Sequence, residues 1–153
     1  MTAKEIVFAH LRACEDGNWD KALSYISDNY SVVGVIPFPI NVFVKLEKKD
    51  ALTMHKKRKI ALPDFRFNEV YEIDEPEHVR VRVNLTGTHT GVIDYTGAIR
   101  GIPIIMPTNK YVVLNPEWFD YYTHDGLITK VVANIPGNAG VKGLVKAVTD
   151  EVE

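Results

Sequence analysis

The sequence predicts an α+β domain, with N-terminal helices packed on one curved, mostly antiparallel sheet. Three observations predict it. Apolar residues recur at helical spacing through the first third of the chain. From Phe65 onward they alternate with a period of two. The length of 153 residues is that of one ordinary domain. With 46% hydrophobic residues, the chain has enough apolar surface to bury a core of its own.

The elements follow in order. Thr2, with Glu5 three residues later, is a capping-box pattern and starts the first helix. Ile6, Ala9 and Ala13 form its stripe, flanked by Val7, Leu11 and Cys14, and Gly17 stops it. Asn18 caps a second helix over "WDKALSYISDN", where Trp19, Leu23 and Ile26 recur at helical spacing. "YSVVGVIPFPINVFV" is β-branched and broken by Pro37 and Pro39, which predicts extended chain. A third helix covers "KKDALTMHKKRKIAL", and Pro63 ends it by restricting the residue before it.

The period then changes. "FRFNEVYEI" is a strand and "DEPE" a turn. In "HVRVRVNLTGTH", Val81, Val83 and Leu85 point one way, and Arg80, Arg82 and Asn84 the other. A Gly- and Pro-rich excursion fills residues 91–108. "NKYVVLNPEWFDYYT" is a long strand with Pro116 marking a bulge or an edge, "HDG" a turn, and "LITKVVANI" the last strand. Residues 1–136 make the cone-shaped domain. The tail 137–153 carries Val141, Leu144, Val145 and Val148 at helical spacing and is expected to dock as a C-terminal helix.

Several function classes drop out. Lys plus Arg number 18 and Asp plus Glu 20, so the net charge of −2 favours neither nucleic acid nor an anionic membrane. Cys14 is the only cysteine and is expected to be a small buried hydrophobe. The start of the chain lacks a signal-peptide pattern and no apolar run is long enough to span a bilayer, so a cytoplasmic protein is expected. The five histidines show no HxxxH spacing and there is no CxxC, so no metal is expected. No phosphate-binding glycine loop and no nucleophile signature appear. The basic run "MHKKRK", residues 54–59, reads as the solvated face of its helix.

Four stretches in order, "LPDFRFNEVYEI", "VRVRVNLTGTHTG", "GIPIIMPTNKYVV" and "HDGLITKVV", resemble the SnoaL-like polyketide cyclase family over residues 2–135. The resemblance implies the cystatin-like α+β cone shared with ketosteroid isomerase and scytalone dehydratase. It also implies a homodimer, no cofactor and a deep apolar pocket for a small apolar or carbonyl-containing ligand. In the family's cyclases an acid near the end of the last strand is the general acid/base of an aldol ring closure, and a pocket histidine helps to hold the substrate. His89, in "GTHTG", falls on that histidine. The acid does not carry over, because the last strand here reads "VVANIPG".

The candidate residues follow from alternation and helical spacing. His89 shares a face with Val81, Val83 and Leu85 and titrates near neutrality when unperturbed, which suits proton transfer. Asp120 shares one face of its strand with Trp118 and Tyr122, and is the first candidate to replace the missing acid. Glu117 is the symmetrical alternative, on the face of Phe119 and Tyr121, and alternation does not choose between them. Ala51, His55, Arg58 and Leu62 fall on one side of the third helix. Trp19, His55, Arg82, Trp118, Tyr122 and Asn134 are the candidate ligand-binding residues, with His89 and Asp120 as the catalytic pair. Asp94 reads as a loop acid making a local turn. The function expected is proton transfer at a carbonyl, as in aldol cyclisation, isomerisation or dehydration. The rival is a non-catalytic ligand-binding domain on the same fold, because the last-strand acid is absent.

Overall fold

The computed structural model describes residues 1–36 and 41–149. Pro37 and Pro39 lie outside the described residues. Helix α1 (Ala3–Asp16) begins at the capping box: the Thr2 hydroxyl accepts from the Glu5 N–H, and the Glu5 carboxylate accepts from the Thr2 N–H at 2.7 Å. It ends at Gly17, whose φ of 72° is left-handed and easily adopted only by glycine. Its inner face buries Ile6, Val7, His10, Leu11 and Cys14. Each large apolar side chain in that set contributes about 1.5–3 kcal/mol.

Helix α2 (Trp19–Ser24) is shorter than its periodicity predicts. The chain turns extended at Ile26, because the Tyr25 carbonyl accepts from the Ile128 N–H at 2.8 Å and Ile26 pairs with Ile128. Sheet pairing overrides local helical spacing there. The other elements are β1 (Ile26–Ile36), β2 (Val42–Glu47), α3 (Lys48–Ala61), β3 (Val70–Glu75), β4 (His78–Val83), β5 (Thr86–Thr88), β6 (Tyr111–Val113), β7 (Glu117–His124), β8 (Leu127–Asn134) and α4 (Gly140–Thr149).

Six strands form the main sheet in the order β2-β1-β8-β7-β4-β3. Only β1 and β8 run parallel; the other four pairs are antiparallel. Helix α1 packs across β3, β4, β7 and β8, and α3 lies against β1 and β2. The core therefore sits between one face of the sheet and the helices. Gly34 lets β1 approach β8, since a Cβ there would stand 2.4 Å from the Ala133 carbonyl oxygen.

Two strands predicted as continuous are broken. "HVRVRVNLTGTH" leaves the main sheet after Val83, and β5 pairs with β6 in a separate two-stranded sheet. "NKYVVLNPEWFDYYT" breaks at Leu114–Pro116, where proline has no N–H to continue the ladder. No helix among the described residues is long and apolar enough to cross a membrane.

Candidate active site in the cone

A cavity of about 160 Å³ lies between the inner face of the sheet and helices α3 and α4. Strand β7 supplies Glu117, Phe119 and Tyr121, and β1 supplies Tyr30, Val32 and Gly34. Met54, His55 and Arg58 come from α3, Val141 and Leu144 from α4, and Tyr95 from the long excursion. The C-terminal extension is thus a wall of the cavity, with Leu144 3% exposed. A wider groove shares Val44, Leu46 and Met54 with the cavity, but its charged lining is only Lys49, Asp50 and Arg100.

The pairing register places Glu117, Phe119 and Tyr121 inside. In register they stand opposite Val83, Val81 and Val79 of β4, all fully buried. Directly opposed residues share a face. Glu117 is 4% exposed, and its Oε2 has no hydrogen-bond partner. Desolvation pushes its carboxyl pKa up to about 7, against the opposing pull of the Arg58 charge and of the Gly140 backbone N–H. A carboxyl at this value exists in both protonation states near neutrality, as a general acid/base requires.

Arg58 lies between the aromatic floor and the polar groups. Its guanidinium carbon stands 4.7 Å from the Phe65 ring centroid and 5.1 Å from that of Phe67. Its Nη2 donates to His55 Nδ1, and its Nε is buried without a partner. Among the described residues it makes no ion pair. His55 is held neutral, its pKa well below the usual value, first by burial and then by the charge of Arg58. Because Nδ1 accepts from Arg58, the ring proton sits on Nε2.

The hydroxyls of Tyr30, Tyr95 and Tyr121 make no hydrogen bond among the described residues. All three residues line the cavity. Burial raises all three pKa values, which keeps them as neutral donors.

The remaining candidates lie elsewhere. Asp120 is on the outer face of β7, where its Oδ1 meets His78 Nε2 at 2.6 Å and accepts from Arg80 Nε at 2.9 Å. Trp118 and Tyr122 share that face: Trp118 stands opposite Arg82 and Asn134, and the Tyr122 ring stacks on His78 at 4.6 Å. Arg82 pairs with Glu72 at 3.7 Å, and Asn134 is exposed. Trp19 is half-buried against the core and does not line the cavity. Asp94 makes the local turn expected of it, its Oδ1 accepting from the Thr96 N–H at 2.9 Å. Of the eight candidates, His55 alone is on the cavity wall.

His89 is 0% exposed, yet it does not line the cavity. Its Nδ1 accepts from the Thr108 backbone N–H at 3.2 Å and stands 2.9 Å from the Thr108 hydroxyl. Its Nε2 makes no hydrogen bond, although the Gly91 and Ile105 backbone lies near enough to offset part of the desolvation that lowers its pKa. The motifs around it are packing devices. Asp64 of "PDF" accepts from the Thr88 N–H at 2.7 Å and from its hydroxyl at 2.8 Å. A Cβ on Gly91 would stand 1.7 Å from the Ile60 carbonyl oxygen, so only glycine fits. "GTHTG" thus threads the chain over the end of α3 and pins the 91–108 excursion.

One cluster escaped spacing rules: donor atoms of His10, Cys14 and His55 lie within 4.8 Å of one another. His10 Nδ1 donates to the Ala22 carbonyl at 3.0 Å, and its Nε2 faces the Cys14 sulfur at 3.8 Å. Burial lowers the His10 pKa to about 4 and raises the Cys14 thiol to about 12. The His55 Nδ1 lone pair is taken up by Arg58, whose charge stands beside the cluster. The donor set fits a hydrogen-bonded core better than a cation.

The chain matches no family model and no curated protein. Solved structures do match. A candidate SnoaL-like polyketide cyclase from Jannaschia sp. CCS1 superposes with a TM-score of 0.67 at 17% identity, over 98% of this chain and 93% of that one. A candidate polyketide cyclase from Pseudomonas putida KT2440 gives 0.63 at 19% identity, over 97% and 99%. A cystatin-fold protein from Novosphingobium aromaticivorans gives 0.58 at 15% identity, over 87% and 97%. In fold, the chain is a cystatin-like α+β cone of the kind seen in these SnoaL-like candidate cyclases.

Proposed function

We propose that this protein binds a small carbonyl compound in the cone and moves a proton on the carbon beside the carbonyl, with Glu117 as general acid/base. One observation carries the reading: a buried, cavity-lining carboxyl whose pKa desolvation has brought to about 7. Strand β8 offers Val131 and Ala133 to the cavity and no acid. Glu117 stands one strand across, on β7, and supplies what that strand lacks. The structural neighbours named as candidate polyketide cyclases support carbonyl chemistry of this kind. The neutral donors, His55 Nε2–H and the tyrosine hydroxyls, suit an enolate oxygen forming as the proton leaves.

Deuterium exchange beside the carbonyl tests it. Benzyl methyl ketone, 2-hexanone, phenylpyruvate and levulinate are incubated in D₂O and followed by NMR. The wild type is expected to accelerate exchange for at least one of them, and Glu117→Gln to lower that rate by about 10²–10⁴-fold. Exchange at the solvent rate in both proteins would sink the reading. Ligand-dependent thermal stabilisation without exchange would support the rival, a binding domain.

A further inference from the structure

We infer that the cone selects a small organic anion, a carbonyl compound whose carboxylate is received by Arg58. The inference rests on the proposal that this cavity is the working site. The reason is charge. A guanidinium is always ionised, and removing one from water is costly unless it finds an anion. Elsewhere among the described residues, Arg12 meets Glu69 at 2.6 Å and Arg80 meets Asp120 at 2.9 Å, while the half-buried Lys57 and Lys59 reach backbone carbonyls. Arg58 has two phenyl faces, one neutral imidazole nitrogen and a buried Nε with no partner. Glu117 is near enough for the two charges to influence each other, but beyond ion-pair distance. The ring faces and His55 fix the plane of the fork, which is what a bidentate carboxylate contact needs.

Size narrows the class. The cavity measures about 160 Å³, and an apolar cavity of about 150 Å³ holds one benzene ring. Val32, Phe119, Val131 and Leu144 supply apolar walls. The fitting ligand is a carboxylate with a single ring or a short alkyl body and an enolisable carbonyl, well below the size of a multi-ring precursor.

The test compares carboxylates with neutral counterparts at mildly acid pH. Binding of phenylpyruvate and levulinate is set against benzyl methyl ketone and 2-hexanone by calorimetry and thermal shift. The anions are expected to bind at least about tenfold more tightly in the wild type. Arg58→Met should erase that preference. Because Arg58→Met also strips packing from Phe65 and Phe67, Arg58→Lys serves as the second variant; it keeps the charge and should keep part of the preference. Neutral ketones binding as tightly as the anions, a preference that survives Arg58→Met, or no carboxylate binding at low-millimolar concentration would each overturn the inference. The two proposals fail separately. Arg58-dependent carboxylate binding without deuterium exchange removes the proton-transfer reading and leaves this one. Exchange confined to the neutral ketones does the reverse.

Discussion

The two faces of β7 carry one carboxylate each and treat it in opposite ways. On the outer face, Asp120 has two partners at hydrogen-bond distance, His78 and Arg80, and keeps 14% of its side chain exposed. On the inner face, three residues back along the same strand, Glu117 has a buried oxygen with no partner. The second environment opposes the charged form. The chemistry available to an acid here is set by which side of the sheet it faces, more than by its residue type.

Titration of stability is the largest effect that would break or sharpen this contrast in the folded protein itself. The Glu117 pKa is about 7 in the fold, against an ordinary value of 4.5. The fold therefore holds this proton more tightly than the unfolded chain does. The stabilisation is complete below the unfolded value and is lost as the pH rises through 7. At ~1.4 kcal/mol per unit, the loss approaches about 3 kcal/mol. Glu117→Gln stays neutral at every pH and should remove this slope. His10 works in the other sense: its pKa is lowered to about 4, so its contribution grows as the pH rises from there to 6.5. It is present in both proteins and cancels in their difference. Urea unfolding of wild type and variant across this range reads the difference directly, and parallel curves would mean that Glu117 is no different from an exposed acid.

The choice between the two faces was beyond the reach of alternation, for a physical reason. The inner face of β4 was legible from Val81 and Val83. Its register against β7 was not, because a long excursion joins the two strands, where a tight turn would have fixed the pairing. Once Val83 is seen opposite Glu117, the face follows. The helix starts and stops were legible because they are local: Thr2, Glu5 and Gly17 act within one turn. Arg58 was legible in part: helical spacing puts it on one side of α3 with Ala51, His55 and Leu62, and all four line the cavity. It also sits inside a basic run, where Lys57 reaches the Asp94 carbonyl and Lys59 that of Glu15. Its place against Phe65 and Phe67 comes from the packing of α3 and was not legible.

A second prediction tests whether burial is itself sufficient. His89 is buried, yet its partner is Thr108 and it does not line the cavity. His89→Ala should cost about 2–3 kcal/mol of stability, from the lost hydrogen bond and the void it leaves. Ligand affinity, measured where the variant is still folded, should stay within about twofold of wild type. A loss of affinity at unchanged stability would return His89 to the site.

The smallest expected effect is at the outer carboxylate. Asp120→Asn keeps the shape and removes the charge that faces Arg80 and His78. Arg80 is 42% exposed and Asp120 14%, so solvent screens the pair. Exposed and half-exposed pairs of this kind contribute about 0–1 kcal/mol. The stacking of His78 on Tyr122 does not need the charge and should survive. The variant should therefore lose less than about 1 kcal/mol in urea unfolding and exchange deuterium at a rate within about threefold of wild type. The comparison is decisive because Glu117 and Asp120 lie on one strand, so a general weakening of β7 would affect both variants alike. If Asp120→Asn slowed exchange as much as Glu117→Gln, the chemistry would belong to the outer face, and the raised pKa within the cone would be a consequence of burial alone.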